Sequence, residues 1–162
     1  MYFPRMLEKL LLEALAQFPI SLITGARQTG KSTLLQNALK GFRYTTLDDP
    51  LVRSLAIEDP ELFLSKNPPP LIVDEIQYAP ELLPYLKMRV DAKRQEYGQY
   101  VLTGSQTFQL MKGVSESLAG RIGIFNLYPF SWKEIPIHQN DDQTCMRQII
   151  QGFYPEFFIH PE

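Results

Sequence analysis

Apolar residues along this chain recur in two rhythms, one helical and one extended. From Arg5 to Phe18 the apolar positions Leu7, Leu10, Leu11, Ala14, Leu15 and Phe18 fall at helical spacing, which predicts an amphipathic helix ended by Pro19. Ile20-Ser21-Leu22-Ile23-Thr24 reads as a short buried strand. Ser32 to Leu39 returns to helix, with Gly41 as its expected C-cap, and the β-branched and aromatic stretch Phe42 to Leu47 predicts a second strand. Two carboxylates at that strand's end, Asp48 and Asp49, invite a metal or acid–base reading. Asp before Pro is also an N-cap ahead of a residue preset for the first helical turn. Asp49-Pro50 and Asp59-Pro60 are therefore expected to start short helices.

Leu71-Ile72-Val73-Asp74-Glu75 is apolar and ends in two acids, the pattern of a central parallel strand with carboxylates at its C-terminal tip. Glu81 to Tyr97 predicts another amphipathic helix, with Leu82, Leu83, Leu86, Val90 and Tyr97 inward. Lys87, Arg89, Lys93 and Arg94 decorate the rest of it, as a charged surface rather than a nucleic-acid contact. Tyr100 to Thr103 is the fourth strand and runs into Gly104-Ser105-Gln106. Gln106 to Ala119 looks helical but broken near Gly113, and Gly120-Arg121 precedes the fifth strand, Ile122 to Leu127. Ser131-Trp132-Lys133-Glu134 spells a capping box, and Asp141-Asp142 is expected to open a last helix through Cys145 and Ile149. Strands alternating with helices imply a parallel sheet covered on both faces, an α/β fold.

Composition narrows the picture only a little. The 162 residues suffice for one domain, and 44% hydrophobic with 21% charged residues is ordinary for a soluble protein. A formal net charge of −2 supplies no global attraction to nucleic acid or to an anionic membrane. The single cysteine, Cys145, excludes an internal disulfide and a cysteine-based metal cluster, and points to a reducing cytoplasm. No signal peptide is read at Met1 to Arg5, and no apolar run is long enough to span a bilayer. His138 and His160 have no partner at ligand spacing, and Cys145 reads as a packed thiol rather than a nucleophile.

The chemistry concentrates in Gly25-Ala26-Arg27-Gln28-Thr29-Gly30-Lys31-Ser32-Thr33, which lies between the first strand and the helix after it. Two glycines followed by Lys-Ser, in strand–loop–helix context, form the phosphate-binding loop pattern. Glycines let backbone N–H groups wrap a phosphate at a positive helix end. Lys31 adds a charge at the β/γ-phosphates, and the Ser32 hydroxyl can ligate Mg²⁺. Asp74 would hold the same metal, and Glu75 would orient a water for attack on the γ-phosphate. At the tip of the fourth strand Ser105, or second to it Thr103, could sense the γ-phosphate or that water. Arg5 reads as a solvated helix-end charge rather than a nucleotide contact. No Asn-Lys-x-Asp guanine-reading motif occurs, so ATP is favoured over GTP.

The motifs at 25–33, Leu-Asp-Asp-Pro at 47–50, Val-Asp-Glu-Ile-Gln at 73–77, Leu-Thr-Gly-Ser at 102–105, Ser-Leu-Ala-Gly-Arg at 117–121 and Pro-Phe-Ser at 129–131 occur in that order. As a set they resemble the AAA+-type P-loop ATPase domain of a large prokaryotic group whose members usually continue into a poorly characterised C-terminal domain. The resemblance implies a five-stranded sheet of order 5-1-4-3-2. It implies Walker A at 25–33, Walker B at 71–75 and Ser105 as the sensor-1 candidate. Arg121 falls where such proteins carry the arginine finger that completes a neighbour's site through a head-to-tail contact in a homo-oligomer. Its alternative is a pairing with a surface carboxylate of its own subunit. Gly-Phe-Tyr-Pro-Glu at 152–156 resembles the start of the helical C-terminal part, so 1–150 is expected to be the ATP-binding domain and 151–162 the beginning of a truncated lid. The resulting expectation is Mg-dependent ATP hydrolysis used as a switch on a protein or nucleic-acid client, away from any membrane. The competing expectations are an ATP-binding module with little turnover and a small-molecule phosphotransferase.

Overall fold

The computed structural model describes residues 2–105, 107–135 and 152–159. Five parallel strands, β1 (Ile20–Thr24), β2 (Arg43–Thr46), β3 (Leu71–Asp74), β4 (Tyr100–Gly104) and β5 (Ile122–Asn126), form one sheet in the order β2-β3-β4-β1-β5. Read from the other edge this is 5-1-4-3-2, as the resemblance implies. The central strands β1, β3 and β4 are buried along their whole length, which is why they read as near-continuous apolar runs.

Side chains alternate between two cores, one on each face. Ile20, Leu22, Leu71, Val73, Tyr100 and Leu102 face one side, where they meet α3 (Pro50–Glu58), α4 (Pro60–Lys66), α5 (Leu82–Ala92) and α6 (Phe108–Ser117). Ile23, Ile72 and Val101 face the other, against α1 (Met6–Leu15) and α2 (Lys31–Ala38). A last short helix, α7, spans Glu156–Ile159. Among the described residues no helix is long and apolar enough to cross a membrane.

The Asp-Pro pairs act as caps. Asp49 Oδ1 accepts from the amides of Leu51 at 2.8 Å and Val52 at 3.4 Å, and Asp59 Oδ1 from Leu62 at 2.9 Å. Several boundaries differ from the sequence reading. α5 stops at Ala92, with Lys93 leaving helical geometry at φ −132°; the buried Gln99 amide donates to the Glu96 carbonyl at 2.8 Å and holds the turn that follows, which leaves Tyr97 exposed. α6 is continuous through Gly113: a Cβ at that position would lie 3.1 Å from Leu83 Cδ1, so the glycine permits close approach to α5 and interrupts nothing. α2 is capped by Leu39, two residues before Gly41. The reciprocal half of the capping box forms, with the Ser131 amide donating to Glu134 Oε2 at 2.8 Å, but residues 132–134 make a turn. Gln106, the expected helix from Asp141-Asp142, Cys145 and both histidines lie outside the described residues.

Candidate functional site

Parallel register brings the loop and the acid pair to one edge. Thr46 pairs with Asp74, and Thr24 pairs with both Gly104 and Asn126, so the strands' C-terminal ends line up beside the loop that follows β1. That loop turns on conformations ordinary residues avoid. Gly25 has φ 151°, and a Cβ there would sit 2.3 Å from the Leu127 carbonyl oxygen. Gly30, at φ 89°, hands the chain into α2, and Gln28 between them is also left-handed at φ 64°. Thr29 Oγ1 donates to the Ala26 carbonyl at 3.0 Å and braces the loop from within. The buried Lys31 ammonium donates to the carbonyls of Gly25 at 3.2 Å and Ala26 at 2.9 Å, which holds its charge in the loop's concavity. A cavity of about 580 Å³ opens there, lined by Gln28, Gly30, Lys31, Ser32, Asp48 and Glu75.

Asp74 is 4% exposed, and its carboxylate is surrounded by hydroxyls. Ser32 Oγ donates to Oδ2 at 2.8 Å, Tyr44 OH donates to the same oxygen, and Thr103 Oγ1 donates to Oδ1. Burial, and then this bond to a carboxylate, push the Tyr44 phenol above its ordinary range, so it stays a donor. Glu75 follows in the left-handed region, φ 59° and ψ 47°, with its amide donating to Thr103 Oγ1 at 3.1 Å. Its side chain accepts from Gln77 Nε2, and Gln77 Oε1 accepts from the Ser105 amide at 3.2 Å. Thr103 therefore touches both acids, whereas Ser105 reaches Glu75 only through Gln77.

Arg121 stands elsewhere. Its carbonyl accepts from the Ile20 amide at 3.2 Å, at the N-terminal ends of β1 and β5, the sheet edge opposite the loop. Its guanidinium forks onto Asp91 at 2.6 Å and 3.0 Å, and that bond holds the Asp91 carboxyl below the usual carboxylate range.

Arg5 departs from the sequence reading. It is no solvated charge: its side chain is 5% exposed and pairs at 3.2 Å with Glu134, itself 7% exposed. Arg5 Nη1 donates to the Thr29 carbonyl of the loop at 2.8 Å, Nη2 to the Tyr128 carbonyl at 2.6 Å, and the guanidinium lies over the Phe130 ring. The N-terminal segment is thereby bolted to the loop. Burial raises the Glu134 pKa, but the Ser131 and Met6 amides and Arg5 outweigh it and hold the carboxyl below its ordinary value. Tyr44 carried no separable signal in the sequence, Arg5 was read there only as a helix-end charge, and Gln77 entered only as the last residue of the motif at 73–77. Each is an isolated polar residue whose partners are distant in the chain or lie across a turn.

A glycine-rich loop closing a buried strand, a lysine and serine opening a helix, and an acid pair on a nearby strand tip together define a P-loop nucleoside-triphosphate-binding fold. Residues 17–136 match the family description of an AAA domain, and the chain belongs to that family. Over 123 residues it is 33% identical to an uncharacterised protein of Mycobacterium tuberculosis and to one of Mycobacterium bovis. Each match covers 75% of this chain but spans only 28% of the relative's length. Among solved structures, a Walker-type ATPase of Pyrococcus abyssi superposes with a TM-score of 0.66 at 20% identity, covering 98% of this chain and 66% of that one. The Orc1 protein of Aeropyrum pernix, solved in complex with DNA, gives 0.52 at 15% identity, covering 96% and 51%. The two structural likenesses agree on the fold, a P-loop fold of the kind that supports nucleotide binding and hydrolysis.

Proposed function

We propose that this chain binds Mg-ATP at residues 25–33 and hydrolyses it as a conformational switch. One observation carries the proposal: the Ser32 hydroxyl lies within hydrogen-bond distance of the buried Asp74 carboxylate, beside the loop that holds Lys31. Two hard oxygen donors, of which Ser32 lines the cavity beside Lys31 and the buried Asp74 backs it, suit Mg²⁺, which prefers one or two protein oxygens plus waters and phosphates. Among the described residues no cluster of three or more His, Cys, Asp or Glu competes for that role. Ser32 and Asp74 would hold the ion, which when bound neutralises charge on the β- and γ-phosphate oxygens.

The remaining steps belong to the chain's own residues. Gly25 through Thr33 wrap the phosphates with backbone N–H groups, and Lys31 redirects its ammonium from loop carbonyls to phosphate oxygens. Glu75 orients a water and accepts its proton as the water oxygen attacks the γ-phosphorus. The bond to the bridging oxygen breaks, and ADP leaves with that electron pair. Ser105, just beyond β4, or second to it Thr103, is the group proposed to sense the γ-phosphate or the attacking water. A narrow apolar cleft lined by Tyr2, Phe3, Phe130 and Pro155 meets the loop at Gly30 and Thr33, which supports a base lying on that side. Adenine is preferred because the guanine-reading motif is lacking.

Arg121 is proposed to act on a neighbouring subunit in a head-to-tail homo-oligomer, since its own loop lies at the other edge of the sheet. The client is a protein or a nucleic acid. The Orc1 neighbour, solved with DNA, supports the latter and the net charge of −2 does not. The single cysteine supports a cytoplasmic setting.

Phosphate release tests the hydrolytic part. Glu75→Gln removes the base and keeps the shape, so it should bind ATP as the wild type does and release phosphate at least about 10²-fold more slowly. Equal rates would place the base elsewhere.

A further inference from the structure

Gln77 sits in the single turn of 3-10 helix (Ile76–Tyr78) that follows the acid pair, and its side chain spans two strand tips. Its Nε2 donates to Glu75 Oε2 beyond the end of β3, and its Oε1 accepts from the Ser105 amide beyond the end of β4 at 3.2 Å. Only one orientation of the amide satisfies both neighbours. Turned over, it would set an oxygen against a carboxylate and an NH₂ against an N–H.

Gly104 makes room for the same clip. Its φ lies outside the left-handed region, so backbone conformation does not demand a glycine there. A Cβ at Gly104 would instead come within 2.6 Å of Gln77 Oε1, its nearest neighbour, and 3.0 Å of Leu110 Cδ2. The missing side chain makes room for the Gln77 amide. On the other side, the Glu75 backbone is in a conformation that costs free energy for a non-glycine residue, and the Thr103 hydroxyl holds its amide. Glu75 is thus fixed at its backbone and at one carboxylate oxygen, which leaves Oε1 to meet a water.

We infer that Gln77 is a positioning residue for hydrolysis: it anchors one oxygen of Glu75 and couples that carboxylate to the β4 tip at Ser105. The inference rests on the reading of Glu75 as the base. When the β4 tip shifts, Gln77 carries the shift to Glu75. Without the clip the carboxylate samples other rotamers and the water loses its alignment, while the phosphate loop is untouched.

The test compares Gln77→Ala, Gln77→Glu and Gly104→Ala in the protein, with ATP affinity and steady-state hydrolysis measured on each and folding checked by thermal unfolding. Gln77→Ala should lower kcat by about tenfold to 10²-fold and leave ATP affinity within about twofold. Gln77→Glu preserves size but sets a carboxylate against Glu75, so it should be at least as slow; a mere packing role predicts that it is tolerated. Gly104→Ala should reproduce the loss by displacing the amide. Adding Gln77→Ala to Glu75→Gln should slow hydrolysis no further, because the clip acts only through that carboxylate. A slow Glu75→Gln beside Gln77 variants at the wild-type rate would overturn the role of Gln77 alone. A Glu75→Gln at the wild-type rate would overturn the reading of Glu75, and the clip's catalytic role with it.

Discussion

At the scale of single residues, three side chains do more than their sequence context announces. Arg5 is the clearest. Replacing it by Ala leaves the Glu134 carboxylate buried without its partner and strips donors from the Thr29 and Tyr128 carbonyls. The loss should be roughly 3 kcal/mol of unfolding free energy, the lower end for a broken buried pair because the Met6 and Ser131 amides still donate to Glu134. Chemical denaturation measures it directly, and a change under 0.5 kcal/mol, the range of ordinary surface substitutions, would contradict the bolt. Glu134 also ties stability to pH. Its folded pKa lies below the ordinary 4.5, so the stability it contributes is fully present above that value and is lost as pH falls through the folded pKa. Glu134→Gln should therefore be less stable at neutral pH, with a stability that falls less steeply than the wild type's below pH 4.5. Parallel profiles would show that Glu134 takes no part. Tyr44→Phe removes one of three hydroxyl donors from Asp74 and should cost about 1 kcal/mol in the same denaturation assay.

At the scale of elements, the strands and the loop were legible because their signals are local. Val73 and Asp74 adjoin in the chain, and an apolar run ending in acids says both that a strand is buried and where its tip lies. The Asp-Pro caps were legible for the same reason, since cap and helix are neighbours in sequence. Where the reading slipped, a contact outside the apolar pattern decided the outcome, local for Gln99 and distant in the chain for Gly113 and Arg5. The Gln99 side chain ends the segment after α5, and Leu83 turns Gly113 from an apparent break into a packing contact. Arg5 looked solvated because its carboxylate lies 129 residues away. Gly25 is the element-scale test of the loop itself. With φ at 151° and the Leu127 carbonyl 2.3 Å from any Cβ, Gly25→Ala should distort the loop and weaken ATP binding at least about tenfold while β1 and the rest of the sheet persist. Wild-type affinity in that variant would mean the loop is not the nucleotide's seat.

At the scale of the whole molecule, the sheet separates two sites by its own length. The loop, Asp74 and Glu75 occupy one edge, and Arg121 is forked onto Asp91 at the other. For Arg121 to meet a γ-phosphate, one subunit's lower edge must face another's upper edge, and Asp91 must release its hold. The proposal predicts that hydrolysis per subunit rises with protein concentration and that Arg121→Ala removes the rise. Mixing Arg121→Ala with Lys31→Ala subunits should restore activity, since each supplies what the other lacks. Concentration-independent turnover without rescue would leave Arg121 as the partner of Asp91 and nothing more. All of this presupposes that the upper edge holds Mg-ATP, and a calorimetric titration of ATP with and without Mg²⁺ asks that most directly. The account predicts saturable binding that Mg²⁺ tightens, that Lys31→Ala weakens by at least about tenfold, and that loses its Mg²⁺ dependence in Asp74→Asn. Equal affinity in wild type and Lys31→Ala, or binding indifferent to Mg²⁺, would contradict it.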